Sequence, residues 1–119
     1  GYTPMMVSVQ CVQKTMDHCN HACVQYVLKD RYQKEFRGVC SCEFCYNTIY
    51  NTLPTSLLKE KEKAEKLGVK AYRLSFTTET QQETEKIVRA FVDVYLRGQP
   101  DGWMQTEETT KGHFQRGVE

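Results

Sequence analysis

The sequence predicts an α/β fold, specifically a partial (β/α) barrel that runs strand, cysteine-rich excursion with a small hairpin, helix, strand, helix. Two stretches, residues 4–11 and 69–76, show the alternation of apolar and polar residues typical of strands, and a helical pattern lies between them. Two parallel strands cannot form a sheet that is buried on both faces, and a complete barrel of eight units needs about 250 residues. The 119 residues therefore fit the late, closing portion of such a barrel.

The first elements in chain order are a strand and a hairpin. PMMVSVQC, residues 4–11, predicts a strand that ends at a cysteine. Residues 26–39 contain two short β-forming stretches around a polar turn at Asp30 and Arg31, which we interpret as a structural pair that closes the hairpin. The hairpin lies within a cysteine-rich segment, residues 11–45.

Helical spacing begins in residues 47–58 and continues to Gly68. Pro54 falls near the first turn, and Gly68 stands where the C-terminus of a helix favours a residue with positive φ. The same helical spacing places Asn47 and Asn51 on one face. This pair is a candidate for substrate binding, and capping of backbone groups is the alternative.

The remaining predicted elements are a strand and a helix. VKAYRLSF, residues 69–76, alternates in character and predicts the second strand. Thr80 and Glu83 have the capping-box spacing that opens a helix. Apolar residues then recur at helical spacing until Gly98 and Pro100 end the pattern.

The composition describes an ordinary folded chain with nearly balanced charge. It has 16 basic and 15 acidic residues, a net charge of +1 and 39% hydrophobic residues, so no global field favours nucleic acid or membrane. No apolar run reaches the roughly 18–20 residues that span a bilayer, and no signal peptide opens the chain. We therefore expect a cytoplasmic protein that does not bind membranes.

Both ends of the sequence look cut, so we expect residues 1–119 to be a single fragment of a longer protein. Its first partner would then be the remainder of its own polypeptide. The strands of an incomplete barrel have unpaired edges, and such edges recruit other strands. We therefore expect the fragment to self-associate.

All six cysteines lie in the first 45 residues. Cys42 and Cys45 have the two-residue gap that lets neighbouring thiolates bind one ion, as in zinc and iron–sulfur sites. The alternatives are buried free thiols and disulfides, for which six cysteines allow 15 connectivities. The crowding at one end and the lack of a secretory signal favour a metal or cluster. We interpret His18 and His21, beside Cys19, as solvated loop residues.

Motifs along almost the whole chain resemble one known family. They are MVSVQC (6–11), Lys14-Thr15 followed by Cys19, LKDR (28–31), CEFCYNTIYN (42–51), YRLSFT (72–77) and TKGHFQRGVE (110–119). The chain resembles the collagenase-like peptidases of family U thirty-two, in the late part of the barrel of a longer member. The resemblance implies a peptidase that acts on collagen-like proteins or peptides.

Two further functions remain open. Some members of the same family use an iron–sulfur centre in the hydroxylation of a pyrimidine in transfer or ribosomal RNA, which would make a structured RNA the substrate. The third interpretation is that the fragment alone is an inert structural module.

The resemblance also implies the ligands of a four-iron four-sulfur cluster. By their positions in the family motifs these ligands are Cys11, Cys19, Cys42 and Cys45. Zinc needs the same number of donors and is the alternative; the cluster is expected in the full-length protein, and the fragment alone need not contain either. Cys23 and Cys40 fall outside the pattern, although Cys40 would substitute as a ligand if the proper geometry were lost.

The C-terminal signature segment, residues 110–119, supplies the candidate catalytic residues Lys111, His113 and Arg116. At the mouth of a barrel they would present cationic and titratable groups to an anionic substrate. The sequence contains no serine nucleophile elbow, HExxH helix or recognisable pair of catalytic carboxylates. The peptidase assignment therefore depends on the resemblance, and we expect the fragment alone to be inactive.

Overall fold

The computed structural model describes residues 1–16, 18–100, 108–112 and 114. The chain divides into a sheet unit, Tyr2–Thr52, and a helical unit, which consists of Gly1 and Leu53–Glu119. Both strands and helices are present, in agreement with the predicted α/β class. Within the described residues no helix combines the length and the apolar character needed to cross a bilayer.

Four strands form one sheet in the order β1-β4-β3-β2. Their bounds are Tyr2–Ser8 (β1), Gln25–Lys29 (β2), Glu35–Ser41 (β3) and Tyr46–Pro54 (β4). A short helix α1, Val12–Met16, follows β1. The pairings β2–β3 and β3–β4 are both antiparallel, with Tyr26 opposite Gly38 and Cys40 opposite Asn47. The predicted strand at 4–11 is thus present, but it ends three residues before Cys11.

The predicted hairpin in residues 26–39 is confirmed as β2 and β3. The Asp30 carboxylate accepts hydrogen bonds from the backbone N–H groups of Tyr32 (2.8 Å) and Lys34 (2.9 Å). Gln33 takes a positive φ of 61°, and the Arg31 guanidinium lies 4.8 Å from the centre of the Tyr32 ring. Asp30 therefore closes the turn through backbone groups, while Arg31 packs on its neighbour.

The helical prediction for residues 47–58 is wrong, because most of this stretch belongs to strand β4. β-branched and aromatic residues are frequent here, and β3 supplies a hydrogen-bonding partner, so tertiary pairing overrides the helical spacing. A 3₁₀ turn at Leu58–Glu60 leads into the helix α2, Lys61–Lys66. Gly68 ends this helix with a φ of 74°, as predicted.

The predicted strand at residues 69–76 is also absent from the described structure, in which this segment belongs to no helix or strand. A strand exists only when a neighbour accepts and donates its backbone hydrogen bonds, however well the side chains alternate. The described residues provide no ladder partner for it. The βαβ unit expected between the two predicted strands is therefore not formed here.

The last helix begins where its sequence predicts. Helix α3 spans Gln81–Phe91, and Thr80 Oγ1 accepts from the backbone N–H of Glu83 (3.3 Å). The Glu83 carboxylate in turn accepts from the backbone N–H of Thr80 (2.7 Å), which completes the capping box. A π-helical turn at Val92–Leu96 continues the helix, and Gly98 follows with a φ of 66°.

The helical unit is held together by packing around Tyr95. Its hydroxyl donates a 2.6 Å hydrogen bond to the carbonyl of Leu57, and its ring packs against the rings of Tyr72 and Phe91. The adjacent Leu58 is almost fully buried. These contacts join the turn before α2 to the end of α3.

Candidate functional site

A contact between two buried thiols forms the centre of the site. Cys11 lies between the end of β1 and the start of α1, and Cys40 lies on β3 with 1% of its surface exposed. Their sulfurs are 3.4 Å apart although 29 positions separate them in sequence. Thr15 donates its hydroxyl hydrogen to the Cys11 carbonyl at 2.9 Å, which anchors the first turn of α1 at this point.

Cys42 extends the contact to a third thiol. Cys42 is the first residue of the turn that follows β3, and its sulfur lies 3.6 Å from that of Cys40, two residues earlier. The Cys42 thiol also donates to the carbonyl of Ala22 at 2.8 Å. We call Cys11, Cys40 and Cys42 the thiol cluster, in which Cys40 contacts both of the others.

The other three cysteines lie on the surface of the sheet unit. Cys45 has a positive φ of 53°, and its sulfur is 3.8 Å from the Cys42 carbonyl. Cys19 and Cys23 are close enough to Cys42 for their charges to act on its pKa. Of the four predicted ligands, two therefore belong to the thiol cluster, whereas Cys19 and Cys45 are exposed.

The thiols of the cluster differ in acidity. The pKa of Cys11 is lowered, first by the hydrogen bond from the backbone N–H of Lys14 and then by the thiol of Cys40. Burial raises the pKa of Cys40 to about 12, and the contacts with Cys11 and Cys42 add to this rise. Burial is also the largest cause of the raised pKa of Cys42. Cys40 is therefore a protonated thiol at neutral pH in the metal-free chain.

The thiol cluster contains two of the four predicted ligands of the iron–sulfur cluster, Cys11 and Cys42. A four-iron four-sulfur cluster binds each thiolate to a different iron, so its ligands must stand around a bulky group. Here the sulfurs of Cys11, Cys40 and Cys42 lie in series, and the other two expected ligands, Cys19 and Cys45, are exposed. Among the described residues no group of three or more Cys, His, Asp or Glu side chains is arranged to hold a metal ion. Thiolate donors of this kind suit a soft metal.

Cys40 is the site residue that sequence reasoning set aside. Its proximity to Cys42 could be predicted from the sequence, because side chains two positions apart in an extended chain face the same side. Its contact with Cys11 could not be predicted, since that contact depends on how the chain between the two residues folds. The family spacing therefore pointed away from the most buried thiol of the site.

The two candidate substrate-binding asparagines differ in their surroundings. Asn47 is 1% exposed, and its amide oxygen accepts from the Tyr26 hydroxyl at 3.1 Å while its amide nitrogen donates to the Gln10 carbonyl at 3.3 Å. Asn51 is half-buried and accepts from the backbone N–H of Thr52 at 2.8 Å. Both lie on one face of β4, because positions four apart share a face in a strand as they do in a helix. These bonds favour the structural role for Asn47.

Only one of the three candidate catalytic residues lies within the described part of the chain. The Lys111 ammonium pairs with the carboxylate of Glu60, which is buried and also pairs with Lys63 at 3.1 Å. These two lysines, Lys111 first, lower the pKa of Glu60. His113 and Arg116 fall outside the described residues. The charge of Lys111 is thus already balanced by a protein group.

No protein-family model, curated protein or solved structure matches this chain significantly.

Proposed function

We propose that the chain is the late portion of a (β/α) barrel in a cytoplasmic collagenase-like peptidase of family U thirty-two, and that its cysteine-rich segment binds a metal. The activity and its substrate class, a collagen-like protein or peptide, are taken from the resemblance of the motifs. The barrel and the metal site have separate physical support, which comes from β1 and from the thiols.

Exposed apolar residues on both faces of β1 carry the barrel proposal. Met5, Met6 and Val7 are 62%, 53% and 62% exposed, and because they are consecutive they alternate between the two faces. A strand of a barrel is buried on both faces, on one side by the barrel interior and on the other by helices. The remainder of the polypeptide would cover both faces of β1 and would offer a partner to residues 69–76.

The concentration of thiols supports the metal proposal. The sulfurs of Cys11 and Cys42 both lie against the sulfur of Cys40. The exposed Cys19 and Cys45 belong to the same sheet unit. An iron–sulfur cluster would supply electron transfer, and zinc would supply a structural crosslink or a Lewis acid. Either group would be held by Cys11 and Cys42 of the thiol cluster together with the exposed Cys19 and Cys45.

Hydroxylation of a pyrimidine in structured RNA is the second candidate. The cysteines favour it, because they suit redox chemistry and the sequence has no recognisable nucleophile motif of a peptidase. The inert-module interpretation applies to the fragment by itself, since the active site of a barrel draws on loops from several strands.

Reconstitution with metal tests the proposal directly. The reduced chain is incubated anaerobically with iron and sulfide, or with zinc, and metal content and electron paramagnetic resonance are measured. We expect stoichiometric binding that Cys11→Ser and Cys42→Ser abolish, whereas Cys23→Ser leaves it unchanged. A spectrum of a reduced four-iron cluster favours the RNA-modifying chemistry, and zinc alone favours a structural site. Equal binding by all three variants contradicts the ligand assignment.

The activity is tested with gelatin, collagen-like peptides and RNA transcripts. We expect no cleavage or modification by the 119-residue chain and activity from a longer protein that contains it. Cleavage of gelatin by the chain itself, lost in Lys111→Ala or His113→Ala, would show that the fragment interpretation is wrong.

A further inference from the structure

The contact between Cys11 and Cys40 brings two buried thiols together from distant positions in the sequence. The 3.4 Å between their sulfurs must shorten by about 1.4 Å to reach the S–S bond length of about 2.05 Å. Both residues are buried, so their side chains are held by surrounding atoms. A small displacement of either side chain would suffice for a covalent bond.

We propose that Cys11 and Cys40 form a reversible disulfide, and that Cys42 is the thiol through which this bond exchanges with low-molecular-weight disulfides such as oxidised glutathione. The proposal goes beyond the metal site, because it concerns the metal-free chain and requires no ligand from Cys19 or Cys45.

The position of Cys42 explains its part in the exchange. Cys40 is 1% exposed, so a disulfide from solution does not reach its sulfur, whereas Cys42 is partly exposed. The sulfur of Cys42 is 3.6 Å from that of Cys40, and the sulfur of Cys40 is 3.4 Å from that of Cys11. Exchange can therefore pass inward from one sulfur to the next.

The exchange balances in three displacements at sulfur. The Cys42 thiolate attacks oxidised glutathione, forms a mixed disulfide and releases one glutathione thiolate. The Cys40 sulfur then attacks the Cys42 sulfur and releases the second glutathione thiolate. Finally the Cys11 sulfur attacks Cys40 and expels the Cys42 thiolate. The protein loses two protons and two electrons, and one oxidised glutathione takes them up to become two reduced molecules.

The remaining cysteines are less suited to a stable bond in this structure. Cys19, Cys23 and Cys45 are exposed, and the sulfur contact of Cys45 is with the Cys42 carbonyl. Exposed disulfides are the ones most readily reduced again, whereas a buried bond is protected from exchange. Cys11–Cys40 is therefore expected to be the bond that accumulates at equilibrium.

Peptide mapping identifies the bond, because tryptic sites separate the cysteines. Cleavage after Lys14, Lys29, Arg37 and Lys59 leaves Cys11 in residues 1–14, Cys19 and Cys23 in 15–29, and the other three in 38–59. The chelator-treated chain is equilibrated with mixtures of oxidised and reduced glutathione, quenched with acid, alkylated and digested. We expect a crosslink between 1–14 and 38–59, which fragmentation in the mass spectrometer assigns to Cys40.

Variants test the pair and the entry thiol separately. Cys40→Ser should lose the crosslink, and Cys23→Ser should retain it. Cys42→Ser should form the crosslink at no more than about one tenth of the wild-type rate, because the oxidant must then reach a buried sulfur. Cys23→Ser, which changes an exposed thiol outside the predicted ligand set, is the control and should keep the wild-type rate. The peptide mapping of the wild-type chain identifies the bonded cysteines even if Cys40→Ser fails to fold. A free Cys11 after full oxidation, or a crosslink of Cys11 to Cys42 or Cys45, would contradict the Cys11–Cys40 disulfide. An unchanged rate in Cys42→Ser would contradict the role of Cys42 as the thiol that exchanges with glutathione.

Discussion

The hydroxyl of Tyr26 on β2 donates a 3.1 Å hydrogen bond to the amide oxygen of Asn47 on β4, across the intervening strand β3. The Tyr26 ring reaches over Gly38, its partner in the β2–β3 register. A side chain at Gly38 would occupy the same space as this ring. This hydrogen bond therefore links β2 to β4, and it does so at Asn47, the residue that pairs with Cys40.

Replacement of Gly38 by Ala should destabilise the sheet unit. The added methyl group overlaps the Tyr26 ring, and overpacking of this kind costs about 1–3 kcal/mol. Denaturant unfolding of Gly38→Ala, Tyr26→Leu and the double variant measures the coupling between the two positions. We expect the double variant to lose less than the sum of the single losses. Strict additivity would show that the ring does not cause the cost.

Replacement of Asn47 by Ala should be more damaging than the same change at Asn51. Truncation of Asn47 removes two part-buried hydrogen bonds, with the Gln10 carbonyl and the Tyr26 hydroxyl, and each such bond contributes about 0.5–1.5 kcal/mol. Asn51 bonds only locally among the contacts described above and serves as the matched control. Thermal unfolding of the two variants should separate them clearly. Equal losses would show that the two hydrogen bonds of Asn47 stabilise the fold no more than the local bond of Asn51 does.

Replacement of Thr80 by Ala should weaken the start of α3. The variant loses the side-chain oxygen that accepts from the Glu83 N–H, at a typical cost of about 0.5–2 kcal/mol. Gln82→Ala, an exposed change in the same turn, should be nearly neutral. Unfolding followed by circular dichroism measures both, and a Gln82→Ala loss as large as that of Thr80→Ala would argue against the cap.

The ion pairs of Glu60 predict a pH dependence of stability. The folded-state pKa of Glu60 lies below its ordinary value of 4.5, so the carboxylate stabilises the fold above 4.5 and this contribution is lost as the pH falls through the folded value. Lys111→Met should therefore lower the free energy of unfolding at neutral pH and have a smaller effect in acid. Lys66→Met, which changes an exposed lysine of α2, is the control. An effect of Lys111→Met that is equal at both pH values would contradict the pairing.

Self-association should depend on β1, an outer strand of the sheet. Its exposed apolar residues and its position at the edge of the sheet favour pairing with a second copy, and a charge placed on the strand opposes this. Sedimentation velocity over a range of concentrations should show association that Val7→Lys reduces. Leu67→Lys, which introduces the same charge at an exposed apolar residue outside the sheet, should not reduce it. A strictly monomeric wild-type chain would contradict the expectation.

Features set by neighbouring residues were predictable from the sequence. The hairpin closed by Asp30, the helix end at Gly68 and the capping box of Thr80 and Glu83 all depend on a few consecutive positions. Features that need a distant partner were not. Residues 46–54 became a strand because β3 pairs with them, and residues 69–76 did not because the described structure offers them no neighbour.

The candidate site followed the same division. The sequence indicated that the cysteines act together, and Cys11 and Cys42 do lie in the thiol cluster. It did not indicate that Cys40 joins them, because the 3.4 Å contact with Cys11 is created by the fold between the two residues. Likewise, the partner of Lys111 is Glu60, about 50 positions earlier in the sequence, and no local motif links the two.

The strand order has a consequence for how the chain folds. β2, β3 and β4 are joined in sequence by short turns, and hairpins of this kind form in about 1–10 μs. β1 must instead find β4 across the whole length of these strands, at a higher cost in loop-closure entropy. We therefore expect a folding intermediate in which Cys40 and Cys42 are already neighbours while Cys11 is still outside. In that interval the most buried thiol of the finished protein is open to the metals and oxidants of its surroundings.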